Sequence, residues 1–180
     1  MKIFLLLFCL TVRWESGNSI LPPLNSYDDQ VNKLLNSMTD EEKVGQMTQV
    51  TIAVILKDAS LPWDKIEIDP EKLKLALHDY HIGSILNVAD SGAYTVQQWQ
   101  NIIAQIQDEA NQTRLKIPVL YGIDSIHGAN YIRDAVLFPQ AIALAASFNP
   151  TIAYKLGQIV AHQTRAAGIP WNFHPQVDIG

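Results

Sequence analysis

Pro118-Val119-Leu120-Tyr121-Gly122-Ile123-Asp124-Ser125-Ile126-His127-Gly128-Ala129-Asn130 is the stretch on which the reading of this chain turns. An apolar run, broken only by Gly122, gives way at once to Asp124, His127, Gly128 and Asn130. That pattern suits a strand buried on both faces that surfaces at its C-terminal end. In parallel α/β folds, functional side chains project from that end. A carboxylate at Asp124 offers two acceptor oxygens, suited to a pair of neighbouring sugar hydroxyls. His127 can donate or accept beside it, and Gly128 lets backbone or ligand approach closely. The same residues also have a plainer reading. An Asp closing a strand serves as an N-cap or turn former, and a nearby His simply packs. Spacing alone leaves both open.

Asp-x-x-His also resembles half a metal site, but no second Asp/His cluster has ligand-like spacing. His78 and His81 stand between a helix and a strand, and His162 lies inside a helix. No metal and no cofactor are expected.

Working outward, Ser84–Val88 reads as a second buried strand, with Asn87 and Asp90 at its C-terminal end. Thr95 and Gln98 form a capping box for a helix that places Val96, Trp99, Ile102, Ile103, Ile106 and Ala110 on one face. Tyr131–Ser147 is a long connection carrying Phe138-Pro139-Gln140. Asn149-Pro150 caps a helix with Ile152, Leu156, Ile159 and Val160 on its inner face, stopped by Gly168. A third strand spans about Trp171–Ile179. Towards the N-terminus, Asp69-Pro70 starts a helix using Leu73, Ala76, Leu77 and Tyr80, and Leu56–Trp63 is irregular. Thr39 and Glu42 make another capping box, opening a helix through Val44 and Met47. Before it, Val31, Leu34, Leu35 and Met38 predict a helix with an apolar face, and Leu21–Asn25 is an extended lead-in. Strand, helix, strand, helix, strand without hairpin signals is the signature of a parallel α/β sheet. Doubly wound sheets and (β/α)₈ barrels both begin this way. No Gly-x-Gly-x-x-Gly follows a strand, which leaves a dinucleotide or phosphate site without support.

Composition narrows the function classes. The 180 residues carry a net charge of −5, with 48% hydrophobic and 17% charged side chains. That is neither a disordered nor a membrane composition, and a mildly acidic chain without a Lys/Arg cluster excludes nucleic acid as the expected partner. Lys2 followed by the apolar run Ile3–Val12, with Gly17-Asn18-Ser19 behind it, predicts a secretory signal peptide over 1–19. The single cysteine, Cys9, falls inside it. The expected mature segment, 20–180, has no cysteine and no membrane span, and its compartment is secreted or lysosomal.

Several motifs in one order give a more specific likeness. Met38-Thr39-Asp40-Glu41-Glu42-Lys43-Val44-Gly45-Gln46-Met47 resembles the N-terminal helix signature of glycoside hydrolase family 3. Gly122-Ile123-Asp124-Ser125-Ile126-His127-Gly128 resembles that family's second-strand motif in β-glucosidases. Phe138-Pro139-Gln140, Phe148-Asn149-Pro150 and Thr164–Trp171 follow in the family's order. The resemblance implies the N-terminal portion of a (β/α)₈ TIM-type barrel, truncated after about three strands. It implies a retaining β-glucosidase acting on terminal non-reducing β-D-glucosyl residues of a glucoside or oligosaccharide. Asp124 then accepts hydrogen bonds from the C4 and C6 hydroxyls of the sugar, while His127 braces the loop or touches sugar. Asn111-Gln112-Thr113 is an N-glycosylation sequon at the end of an amphipathic helix.

Retaining hydrolysis needs two carboxylates about 5–5.5 Å apart. The resemblance places the nucleophile in a later Ser-Asp-Trp-like motif and the acid/base later still, so no catalytic residue is expected within these residues. Asp178 is assigned a structural role. An eight-stranded barrel needs about 250 residues, which predicts a chain that is poorly stable and inactive alone. The competing readings are a non-enzymatic sugar-binding fragment or pseudoenzyme, and an unrelated metal-dependent α/β hydrolase.

Overall fold

The computed structural model describes residues 27–62, 65–88 and 92–175. The signal peptide, Cys9, the lead-in Leu21–Asn25, Asp90 and Asp178 lie outside the described residues. Helices α1 (Asp28–Ser37) and α2 (Asp40–Gln46) lead into β1 (Gln49–Thr51) and a 3₁₀ turn at Ile52–Ile55. Helix α3 (Pro70–Lys74) runs on as a π-helical turn, Leu75–Asp79, before β2 (Ser84–Leu86). Then come α4 (Val96–Ala110), β3 (Leu120–Ile123), α5 (Ala141–Ala145), α6 (Pro150–Ala166) and β4 (Trp171–Asn172). The four strands pair in chain order, every pair parallel. Parallel neighbours need a crossover between them, and α3, α4 and α6 lie in the connections.

The expected parallel α/β sheet is present, with one strand more than the three expected. Strand β1 was missed because Gln49-Val50-Thr51 contains a single apolar residue, and the two flanking ones are exposed. Too little is buried to leave a periodic trace. The strand expected over Trp171–Ile179 pairs with β3 only through Trp171 and Asn172, and residues 176–180 are outside the described set.

Strand alternation sorts the sheet into two unlike faces. One row joins Val50, Ile85 and Tyr121. Ile85, Tyr121 and Ile123 have no exposed surface, because the helix layer covers them. Trp99 of α4 is fully buried there, edge-on to Tyr94 at 5.0 Å and to Tyr121 at 5.7 Å. Its indole N–H donates to the Tyr131 carbonyl at 2.9 Å, so burial leaves no polar atom unpaired. The other face carries Gln49, Ser84 and Leu120 in one row and Thr51, Leu86, Gly122 and Trp171 in the next. Gln49, Thr51, Leu120 and Trp171 are exposed. Among the described residues this face has no helix over it.

Local caps follow the sequence closely. Thr39 accepts from the Glu42 N–H while the Glu42 carboxylate accepts from the Thr39 N–H, and Thr95 and Gln98 do the same. Asp69 and Asn149 cap α3 and α6 ahead of their prolines. The apolar faces are where expectation fails. Helix α1 buries none of its residues, with Val31, Leu34 and Leu35 all exposed. Met47 is 79% exposed, and Val44, Tyr80, Ile152 and Ile159 also stay open. Val160 of α6 is buried. Periodicity defines a face, but burial needs an element to press against it, and among the described residues α1 has none.

Candidate functional site

Asp124 sits one residue past β3, at the C-terminal edge of the sheet, and is half-buried. It continues the row Leu120, Gly122 on the helix-free face. Leu86 pairs with Gly122, and Gly122 with Trp171, so the floor next to Asp124 is apolar. Phe173 closes it. Its ring packs against Trp171 at 4.7 Å with a 79° interplanar angle. A Cβ on Gly122 would fall 2.3 Å from the Phe173 ring, so the glycine is what lets that ring lie across β3. A carboxylate at the end of a strand whose open face carries two aromatic rings is an arrangement that can serve the hydroxyls and the carbon face of a small polar ring.

The loop behind Asp124 is fixed at several points. Phe173 N–H donates to the Ile123 carbonyl at 3.0 Å, and Ser125 N–H donates to Asn172 Oδ1 at 3.0 Å. Ser125 is buried, its hydroxyl 3.3 Å from that of Thr164 on α6. Ile126 N–H donates to Asn130 Oδ1 at 3.0 Å. His127 Nδ1 lies 3.0 Å from the Phe138 carbonyl, while Phe138 N–H donates to the His127 carbonyl at 2.6 Å. His127 therefore braces the loop. Gly128, at φ +128°, passes so close to the next segment that a Cβ would meet the Val136 carbonyl at 2.3 Å. The close approach expected of this glycine is made by backbone.

Asn87 follows β2 in a left-handed conformation, φ +64°, and its carbonyl accepts from the Tyr121 hydroxyl at 2.5 Å. Burial raises the Tyr121 pKa far above its usual value, so the phenol stays a donor. Two further polar atoms at these strand ends, Asn87 Oδ1 and His174 Nδ1, are buried with no hydrogen-bond partner. Each such atom costs about 1–3 kcal/mol, a cost characteristic of sites whose polar groups serve something besides stability.

Residues 39–180 match the family model described as the glycosyl hydrolase family 3 N terminal domain. The chain belongs to glycosyl hydrolase family 3. Across 165 residues, 87% of this chain, it is 37% identical to the lysosomal beta glucosidase of Dictyostelium discoideum, covering 20% of that protein. A family 3 β-N-acetylglucosaminidase from a Paenibacillus species superposes with TM-score 0.63 at 23% identity, over 79% of this chain and 25% of the other. The beta-glucosidase from Listeria innocua in complex with isofagomine gives TM-score 0.59 at 24% identity, over 84% of this chain and 18% of the other. The chain spans about a fifth of the length of the curated relatives it matches.

Within this family 3 domain the remaining singled-out residues lie elsewhere. Asn111 is exposed where α4 ends. The Thr113 hydroxyl of its sequon donates to the Ala110 carbonyl at 2.7 Å and accepts from Lys116 N–H at 3.2 Å. His78 reaches α4 instead, its Nε2 2.7 Å from Glu109 Oε1. A cavity of about 130 Å³, lined by Glu42, Gln46, His78, His81, Arg114 and neighbours, lies at the N-terminal end of β2 and β3, away from Asp124. No group of three His, Cys, Asp or Glu among the described residues is placed to hold a metal ion, and no described helix is long and apolar enough to cross a membrane. Trp171, Asn172 and Phe173 are the site residues that sequence reading missed. Their signal was the alternation itself, which puts both rings on one face and the amide on the other.

Proposed function

We propose that residues 20–180 form the opening strands of a (β/α)₈-type barrel in a retaining β-glucosidase that removes terminal non-reducing β-D-glucosyl residues. Asp124 is the carboxylate that accepts hydrogen bonds from the sugar's C4 and C6 hydroxyls, and His127 holds its loop in place. The nucleophile and acid/base come from later segments, which the match to only a fifth of longer relatives leaves room for. The observation that carries this reading is the position of Asp124: half-buried, at the C-terminal edge of a parallel sheet, on the face free of helices, within the matched domain. Active sites of parallel barrels gather at that edge. A partly desolvated carboxylate discriminates because a wrong sugar leaves it unpaired.

The leader over 1–19 directs the protein to a secreted or lysosomal destination, in keeping with a relative named lysosomal and another named periplasmic. Asn111, exposed at a helix end, carries N-linked glycan there.

The test is Asp124→Ala in the full-length gene product, assayed on an aryl β-glucoside. The expected kcat/KM falls by about two orders of magnitude or more, with the melting temperature almost unchanged. A variant that keeps full turnover sinks the role of Asp124. A wild-type protein that binds glucosides without hydrolysing them replaces the enzyme by a sugar-binding module.

A further inference from the structure

We propose that Asn172 is a positioning residue for Asp124, setting sugar selectivity from the neighbouring strand without touching the sugar; this rests on the reading of Asp124 given above. In an uninterrupted parallel ladder the N–H groups of one strand are taken by backbone carbonyls of the next. The β3–β4 ladder stops at Ile123 and Asn172. Just past that point Phe173 N–H still donates to the Ile123 carbonyl at 3.0 Å. The following N–H, that of Ser125, donates to the side-chain oxygen of Asn172 at 3.0 Å. The amide of Asn172 thus supplies the rung that the backbone no longer provides. The same oxygen also accepts from His174 N–H at 3.3 Å, which ties down the turn leaving β4.

Asp124 lies between the two anchored peptide groups, Ile123 C=O on one side and Ser125 N–H on the other. One anchor is Asn172 at the end of β4 and the other is Phe173, the residue after it. The backbone torsions of Asp124 are set by these two residues, whereas the hydrogen bonds at Ile126 and His127 act further along the loop. Pairing in register with Ile123, Asn172 lies on the helix-covered face, opposite the row that Asp124 continues. Ser125 beneath it is 1% exposed, with its hydroxyl 3.3 Å from Thr164, so the support is held by packing as well. A carboxylate that must meet two hydroxyls at once tolerates little angular error. The group that fixes its peptide therefore governs selectivity.

The experiment uses the full-length protein and two substrates, an aryl β-glucoside and the matching β-xyloside, which lacks the C6 hydroxymethyl group. The readout is the ratio of their kcat/KM values, so a general loss of stability or turnover cancels. Asn172→Ala is expected to lower the glucoside/xyloside ratio about tenfold, moving it towards that of Asp124→Ala. Asn172→Asp keeps an acceptor oxygen at the same reach and is expected to hold the ratio within about threefold of wild type. If Asn172→Ala yields no soluble protein, Asn172→Ser, too short to reach both N–H groups, is read in its place. A ratio unchanged in the Ala or Ser variant while Asp124→Ala collapses it overturns the positioning role and leaves the reading of Asp124 standing. A ratio that Asp124→Ala leaves unchanged overturns that reading itself.

Discussion

Removing the Glu42 carboxylate tests how the N-terminal helices are tied to the sheet. Glu42 is 5% exposed and accepts from Arg114 Nε at 2.8 Å, from Arg114 Nη2 at 2.5 Å and from Thr39 N–H at 2.8 Å. Arg114 Nη2 also reaches the Ser37 carbonyl at 2.9 Å, joining the end of α1 to the segment before β3. The Arg114 guanidinium, followed by the Thr39 N–H, holds the Glu42 pKa down from 4.5 to about 2. At full strength that shift corresponds to about 3 kcal/mol. The Arg114 side chain is 57% exposed, so solvent screening reduces the pair's share by about half. Glu42→Ala is therefore expected to cost about 2 kcal/mol in urea unfolding followed by circular dichroism, including the lost half of the capping box. Because the folded pKa lies below the unfolded one, this stability is fully present above about pH 4.5 and is lost as pH falls towards 2. The variant should lack that part of the acid slope. A double-mutant cycle with Arg114→Ala should return a favourable coupling between the two side chains. Additive single variants, or an acid slope between pH 4.5 and 2 that Glu42→Ala leaves intact, would show that the pair does not hold α1 and α2 in place.

Gly122→Ala drives a methyl into the Phe173 ring and should destabilise by about 1–3 kcal/mol; Phe173→Ala in the same chain should recover part of that, and a cycle showing no recovery contradicts the packing described. Trp99→Phe empties part of the core and removes the indole N–H bond to the Tyr131 carbonyl, which keeps its bond from Tyr94 N–H, for an expected loss of about 2 kcal/mol in the same unfolding assay. Asp69→Ala removes the acceptor for Glu71 N–H and Lys72 N–H and should cost about 1 kcal/mol, read as a shift in urea midpoint at constant slope.

What was legible in the sequence was whatever local chemistry decides alone. The Thr39/Glu42 and Thr95/Gln98 boxes, the Asp69-Pro70 and Asn149-Pro150 starts and the Trp99–Ile106 face depend on residues a few positions apart, and all are present. Asp124 was placed at a strand end because the apolar run stops there. The hidden parts depend on distant partners. Strand β1 is a strand because Gln49 to Thr51 lie beside Ser84 to Leu86, which their own composition does not announce. Asn172 matters through Ser125, 47 positions earlier. The apolar face of α1 has nothing over it among the described residues, and of the inner face expected for α6 only Val160 is buried, with Ile152 and Ile159 exposed. The π turn at Leu75–Asp79 also escaped prediction, since an extra residue in one turn barely disturbs an apolar stripe.

The polar chain across the base of the open face bears on folding fidelity. Gln49 Nε2 donates to Ser84 Oγ at 2.7 Å, and Ser84 Oγ donates to the Leu120 carbonyl at 2.8 Å, linking the three strands whose ladders have only three rungs each. So short a parallel ladder gains little by discriminating against a one-step slip through hydrogen bonds alone. A slip of one residue would turn Gln49 and Ser84 into the helix layer and push Val50 and Ile85 out to water. The amide–hydroxyl–carbonyl relay closes in one alignment only, so it adds to the burial pattern as a second lock on register.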